Sequence, residues 1–559
     1  MRAALLCLLM MGAASCAPAP IVFDGDPYPR VAGETRALVL WVRFASDDTA
    51  WPGVTAANRG WQGPDDWPAI ADSILSPSVE RPTGLTRYFL DQSDGAFRLT
   101  GRSYPEVLVT REPERAYRSG DGTLDQARLT RELLESVDAS DRVDLDDFDA
   151  DRDGYIDYLF VVVRRMQETL LFRTHAFGIS DLGYSSEVAE FGASKARRVD
   201  RHASGSYVRY DNAGNIFPEV DLVRLMAHEI GHDLWRGFVH LQPVEPAAGI
   251  PSFPDRRVGY VLMSGPSDAR GDETISAFER DLLGWIDCRP LTRDTVVTVQ
   301  DLYSGDADQC FTYDAVRLSR TGGLRRLYLS NRQRVGPFDR LMVERHPQAR
   351  SEQGLMDTGV LVMATEGDGR VGVVPADGSL ELSPRAAPYR GDLLRPGDRL
   401  TPWTHPNSTG YVGFPASGPR VHESQTDLLY RGVHVLSRTG DALTVRFTTD
   451  ERHNARFLDS DVIPVLPDLE FSGLAVVRGT VRLDGSARFD SLRVLPLSRL
   501  IVNGALETAH LSLGRNSMLV VDGVAQASEG EREWGARLVV DGGRIVGTPL
   551  ENWLAEDIR

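Results

Sequence analysis

The sequence predicts a multidomain protein: an α/β (α+β) domain, then a β-rich domain, then a β-repeat. Three observations carry this. The chain has 559 residues, more than one hydrophobic core organises at about 100–150 residues per domain. Helical and strand-like apolar patterns alternate over residues 36–290 and give way to short strand-like segments over 291–450. Over 451–559 a five-residue pattern returns at a fixed interval.

Apolar residues make up 42% and charged residues 25% of the chain, which excludes disorder, collagen and coiled coil as descriptions of the whole. The charge balance, 62 − 80 = −18, disfavours a nucleic-acid partner, because so acidic a chain repels phosphate. No internal run reaches the roughly 18 apolar residues of a spanning helix.

Residues 1–16 read as an export signal. Met1 and Arg2 form a short basic start, residues 3–11 are apolar, and Ala13, Ala14 and Ser15 precede Cys16. Small residues before a cysteine resemble a bacterial lipoprotein signal, with Ala13 where such signals usually carry Leu and Cys16 as the lipidated residue and the only expected tie to a membrane. An ordinary secretory signal is the alternative. Residues 17–35 read as a linker. Export leaves Cys288 and Cys310 in the mature chain, and an oxidising compartment favours their pairing over two buried thiols.

In the first domain, ALVLWV at 37–42 and YLFVVV at 158–163 are unbroken apolar runs, the pattern of strands buried on both faces. Between them, Leu129, Leu133, Leu134 and Val137 have helical spacing. The second domain consists of short apolar segments between Gly, Pro and Asp turns, such as GVLVM at 359–363. It reads as a β-sandwich or as a β extension packed on the first domain.

The final region repeats VRLDG (481–485), LIVNG (500–504), LVVDG (519–523) and LVVDG (538–542), so the glycines step by 19 residues. One such unit cannot bury its own apolar face, whereas stacked units can, which is the logic of a β-solenoid. A β-sandwich with evenly spaced hairpins is the alternative.

The chemistry sits in DLVRLMAHEIGH at 221–232, apolar almost all round and therefore a buried helix. His228 and His232 are four apart, so their imidazoles project from one face a turn apart and can share one Zn²⁺. Glu229 is rotated about 100° away and can serve as general base toward a metal-activated water. A catalytic zinc needs a third protein ligand and an open position. Gly237 allows the chain to double back after the helix, making His240 the favoured third ligand. Glu279 is the rival, but Ser276-Ala277-Phe278-Glu279 reads as a capping box that already employs it.

These segments resemble the immune inhibitor A-like metalloproteases, a branch of the metzincin-type zinc peptidases. In that family a third His or Asp ligand follows the motif, and a Met-turn lies beneath the zinc. LMSG at 262–265 resembles that turn, with Met263 as its methionine. YF at 88–89, QSDGAF at 92–97, ISAFE at 275–279, LGW at 283–285, NRQ at 331–333 and GD at 391–392 resemble further family segments. The likeness covers about residues 36–450 and omits the repeat. Four residues separate His232 from Gly237 where the family has two, and no propeptide is evident before the first strand. The resemblance implies an exported zinc endopeptidase acting on proteins or peptides. A surface adhesin or binding scaffold with a structural or vestigial zinc is the alternative from another class, and a zinc hydrolase of non-peptide bonds is a third.

A second cation site is expected at DADRDGYID, 149–157. Asp149, Asp151, Asp153 and Asp157 occupy positions 1, 3, 5 and 9 of a calcium loop, Gly154 permits its turn, and Tyr155 offers a carbonyl. Phe160 stands where an EF-hand has its bidentate Glu, so this is a variant loop; a solvated acidic turn is the alternative.

Overall fold

The computed structural model describes residues 31–50, 61–78, 84–120, 124–140, 142–152, 156–166, 176–178, 189–191, 197–199, 204–212, 215–216, 219–234, 242–243, 260–263, 274–317, 324–340, 357–365, 370–374, 376, 391–401, 427–429, 431–451, 455–459, 465–466 and 469–557. Among them lie a five-stranded sheet with helices on both faces, two further sheets packed face to face, and a stack of parallel coils.

The first sheet contains β1 (Gly33–Arg43), β2 (Phe97–Val109), β3 (Tyr158–Val163), β4 (Ala176–Gly178) and β5 (Ser204–Arg209) in the order β2-β1-β3-β5-β4. All neighbours are parallel except the edge strand β4. Parallel strands require crossovers, which cover both faces and bury all of β3 and residues 37–42 of β1. Ala37, Val39 and Trp41 of β1 face one core, while Leu38, Leu40 and Val42 face the other. The first core lies under α1 (Leu85–Gln92) and α3 (Glu219–Leu234), and the second under α2 (Gln126–Asp138). Asp125 caps α2, its side chain accepting from Arg128 N at 3.0 Å. β1 starts at Gly33, inside the segment expected to be linker. Val31 is also tied down: its N–H donates to Leu283 O (3.0 Å), and its carbonyl accepts from Trp285 Nε1 (2.7 Å).

The β-rich domain is both a sandwich and an extension. Its first sheet runs β6-β12-β11-β10-β9-β7, with β6 (Gln242–Pro243), β7 (Arg289–Pro290), β9 (Cys310–Arg317), β10 (Leu324–Arg332), β11 (Gly359–Thr365) and β12 (Arg370–Val373). Its second sheet runs β8-β16-β15-β13, with β8 (Thr295–Val299), β13 (Arg399–Leu400), β15 (Gly432–Thr439) and β16 (Ala442–Thr448). A short strand β14 (Asp427–Leu428) pairs with β9. Strand alternation separates the two roles of the first sheet. Leu327, Leu329, Val360, Val362 and Ala364 pack toward the second sheet. Tyr328, Leu361, Met363, Val371 and Val373 pack into the α1/α3 core. Cys288 and Cys310 form a disulfide, Cα–Cα 4.6 Å, joining the end of the first domain to β9.

The repeat folds into two parallel sheets. One contains β17 (Ala455–Asp459), β19 (Leu469–Arg478), β21 (Ser486–Val494), β23 (Ala505–Leu513), β25 (Val524–Arg532) and β27 (Arg544–Val546). The other contains β18 (Val465–Leu466), β20 (Thr480–Leu483), β22 (Arg499–Val502), β24 (Met518–Val521) and β26 (Arg537–Val540). Register partners such as Val481↔Leu500, Leu500↔Leu519 and Leu519↔Leu538 are 19 residues apart, so each coil supplies one strand to each sheet. Hairpins would pair antiparallel; these pairs are parallel, the arrangement of a β-solenoid. Inward-facing Val, Leu and Ala residues of the two sheets share one core. An unanticipated helix, α5 (Thr548–Asp557), covers its C-terminal end with buried Leu550 and Trp553, as terminal repeats require.

Candidate metal centre

The helix α3 is held by packing rather than by propensity. Leu222, Val223, Met226, Ala227, Ile230 and Leu234 are buried in the core shared with β1, β3 and β5; the larger of these side chains contribute about 1.5–3 kcal/mol each. Near its C-terminal end stand His228 and His232, both half-buried, with ring centroids 5.1 Å apart and planes at 88°. One ligand-type atom from each of His228, Glu229 and His232 lies within 4.8 Å of the others. The helix spacing seen in the sequence thus brings all three groups together.

The imidazole of His228 is oriented from outside its helix. Its Nδ1 lies 2.7 Å from the carbonyl oxygen of Leu262. A carbonyl only accepts, so Nδ1 carries the proton and the lone pair belongs to Nε2, the tautomer a metal ligand needs. Leu262 and its described neighbours Tyr260, Val261 and Met263 are fully buried. The segment is fixed by Glu279 in α4 (Ala277–Leu282): Oε1 accepts from Met263 N at 2.9 Å and Oε2 from Leu262 N at 3.2 Å. The same carboxylate accepts from Ser276 N (2.7 Å) and Ser276 Oγ (2.8 Å), completing a capping box. Glu279 is therefore occupied by four donors and is not the third ligand. Met263 is packed in the core that also holds Met226 and Ile230.

Glu229 differs from Glu279 in its surroundings. It is 5% exposed, and its Oε2 accepts no hydrogen bond among the described residues. Burial pushes its carboxyl up to about 8. A nearby cation opposes that shift by favouring the ionised form, so a buried carboxylate beside two imidazoles suits a site built around a positive charge. The two imidazoles themselves are donors that zinc accepts. Asp233 is exposed on the same helix. His240 lies outside the described residues, as does Cys16.

A polar network braces this region against the β-sandwich. Gln92, at the end of α1, accepts from Ile275 N (2.9 Å) and from Arg280 Nη2 (2.8 Å) through Oε1. Its Nε2 donates to Tyr303 Oη at 2.8 Å. Arg280 also donates to Leu302 O (2.9 Å), and its guanidinium lies 4.6 Å from the Tyr303 ring centroid. Gln92, the 275–279 segment and, through the weak contact of Arg332 Nη2 with Thr274 Oγ1 (3.4 Å), the 331–333 segment therefore meet in space. Three of the stretches singled out in the sequence are structural neighbours. The network itself was not legible there; the signal available was Gln and Arg placed among residues of apolar pattern.

At the acidic loop, ligand-type oxygens of Asp149, Asp151 and Asp157 lie within 4.8 Å of one another. Asp153 and Tyr155 lie outside the described residues. Asp157 also fastens the loop to β1, its Oδ2 accepting from Arg36 N (2.7 Å) while its Oδ1 accepts from Ala150 N (3.0 Å). Burial, with the charges of Asp151 and Asp149 adding to it, pushes the Asp157 carboxyl up to about 6 against those two N–H donors. No protein-family model matches the chain, and no curated protein matches it.

Proposed function

We propose that this chain is an exported zinc-dependent endopeptidase that hydrolyses peptide bonds of proteins or peptides with Glu229 as general base. The observation that carries the reading is the juxtaposition of His228, His232 and the buried carboxylate of Glu229 within 4.8 Å. His228 and His232 would hold the metal, with His240 as the third ligand the sequence offers. Zinc at such a site acidifies a water and polarises a carbonyl. Glu229 accepts one proton as water oxygen adds to the scissile carbonyl carbon. It then returns a proton to the amine nitrogen as the C–N bond breaks. The Leu262 carbonyl keeps His228 in its ligating tautomer throughout.

The oxygen-rich set of Asp149, Asp151 and Asp157 suits a hard cation, and we assign it to calcium in a bracing role. The export reading rests on residues 1–16; among the described residues no helix is long and apolar enough to cross a membrane.

Zinc content of the purified chain, measured with chelator-sensitive casein hydrolysis, tests the peptidase reading. The variant E229A is expected to lose about 10²–10⁴-fold in rate while keeping its zinc. Tight zinc without turnover on any protein or peptide supports a binding scaffold instead, and a zinc-free protein overturns both readings.

A further inference from the structure

Glu279 is fully buried, and its carboxylate has more donors than a helix cap requires. A capping box needs the Ser276 side chain on Glu279 N and the Glu279 side chain on Ser276 N; both are present. The two remaining backbone donors come from another part of the chain. Leu262 N and Met263 N, 17 and 16 residues earlier in sequence, reach the same two oxygens. The opposite end of the Leu262 residue is its carbonyl, 2.7 Å from His228 Nδ1. One carboxylate thus grips both the start of α4 and the segment whose carbonyl orients the metal helix.

We propose that Glu279 is a positioning residue for the metal centre, acting through Leu262 on the orientation of His228. The inference rests on the zinc reading of His228 and His232. Its physical basis is the fixed geometry of two consecutive N–H groups bound to one carboxylate. That grip sets the plane of the Leu262 peptide and, with it, the direction of the carbonyl that accepts the hydrogen bond of His228 Nδ1–H. Groups that orient a metal-binding imidazole typically change metal affinity about 10–100-fold when removed. A glutamine at position 279 keeps one acceptor oxygen but turns an NH₂ toward a backbone N–H, so one arm of the grip must release.

The cap and the grip are separable by mutation. S276A removes the side-chain half of the cap and leaves the carboxylate on Leu262 N and Met263 N. E279Q breaks the grip. In the full chain, zinc affinity measured by competition with a chromogenic chelator is expected to stay within about threefold of wild type in S276A. In E279Q it should weaken on the order of 10–100-fold at a temperature where circular dichroism shows both folded. The cobalt-substituted protein gives a second readout: its visible d–d spectrum should change in E279Q and not in S276A. Should E279Q fail to fold, E279D, which keeps the charge and shortens the reach, is expected to show the same spectral change with a smaller affinity loss. Equal affinity losses in S276A and E279Q, or an unchanged affinity and spectrum in E279Q or E279D, overturn the proposal while leaving the zinc site standing. A wild-type chain that binds no zinc overturns the metal reading itself, and with it this inference.

Discussion

The His228–His232 helix and the C-terminal solenoid were both conspicuous in the sequence, yet they differ in what their sequences could convey. In the solenoid, the partner of each residue lies 19 positions away, and that relation repeats from coil to coil. Periodicity therefore specifies the fold and says nothing about chemistry. At α3 the reverse holds. The spacing of His228, Glu229 and His232 marks a candidate metal site, while the groups that orient His228 come from 34 residues away at Leu262 and, through it, from Glu279. A repeat advertises its contacts because they are regular, whereas the candidate metal site assembles from contacts that occur once.

The contrast breaks most sharply at Gly523. A Cβ added there would sit 1.9 Å from Gly504 O, because successive coils bring their turn backbones into contact. The variant G523V is expected to lose more than about 3 kcal/mol from the coils around it, backbone having nowhere to move. Since each coil touches only its neighbours, the damage should remain C-terminal. Limited proteolysis should remove the repeat and leave zinc binding and casein hydrolysis intact; loss of both activities would mean that the two regions fold as one unit.

The Cys288–Cys310 disulfide tests the other half of the comparison, where distant contacts dominate. It closes a loop of 22 residues between the first domain and β9, a constraint worth about 3 kcal/mol in the chain-entropy model. The double variant C288A/C310A should therefore melt at a lower temperature with the repeat unaffected. A melt that shifts only in the C-terminal transition would contradict the placement of this bond at the domain junction.

A smaller effect is expected at Asp301, which accepts from Tyr303 N (2.8 Å) and Gln333 N (2.6 Å) beside the bracing network. Burial pushes its carboxyl from 3.8 up to about 6, with Asp339 adding and the two N–H groups opposing. The folded chain thus binds more protons than the unfolded one between about pH 4 and 6. Stability from this group is present below pH 4 and is lost as pH rises through 6, by at most about 3 kcal/mol. D301N cannot titrate. The advantage of wild type over D301N in unfolding free energy should shrink by up to that amount between pH 4 and 7, and a constant difference would remove Asp301 as the source.

What the sequence made legible follows the same division. Buried strands at 37–42 and 158–163 were readable because parallel strands covered on both faces leave no polar alternation. The choice between sandwich and extension was not, although GVLVM at 359–363 carried the answer: five successive apolar residues need cover on both faces. Val360 and Val362 find it in the second sheet, Leu361 and Met363 in the first domain. Ser276 and Glu279 were legible as a cap by their spacing; the grip on Leu262 and Met263 was not, since backbone N–H groups carry no side-chain signature. The closing helix α5 was missed although Leu550, Trp553 and Leu554 stand at helical spacing.

Within the solenoid, regularity also exposes where the sequence departs from its own rule. Leu497, Asn516 and Gly535 occupy equivalent turns 19 residues apart, with φ of 54°, 53° and 76°. Gly and Asn tolerate this left-handed conformation, whereas a leucine side chain there crowds the following carbonyl at a cost of roughly 1–2 kcal/mol. Leu497 is 49% exposed, so little packing offsets the strain. L497N places at this turn the residue type its neighbour already uses. It is expected to stabilise the repeat by about 0.5–1 kcal/mol, seen as a raised melting temperature of the C-terminal transition with casein hydrolysis unchanged. A variant that melts lower would show that Leu497 contributes packing the turn geometry does not reveal, and that coil regularity alone does not rank its own positions.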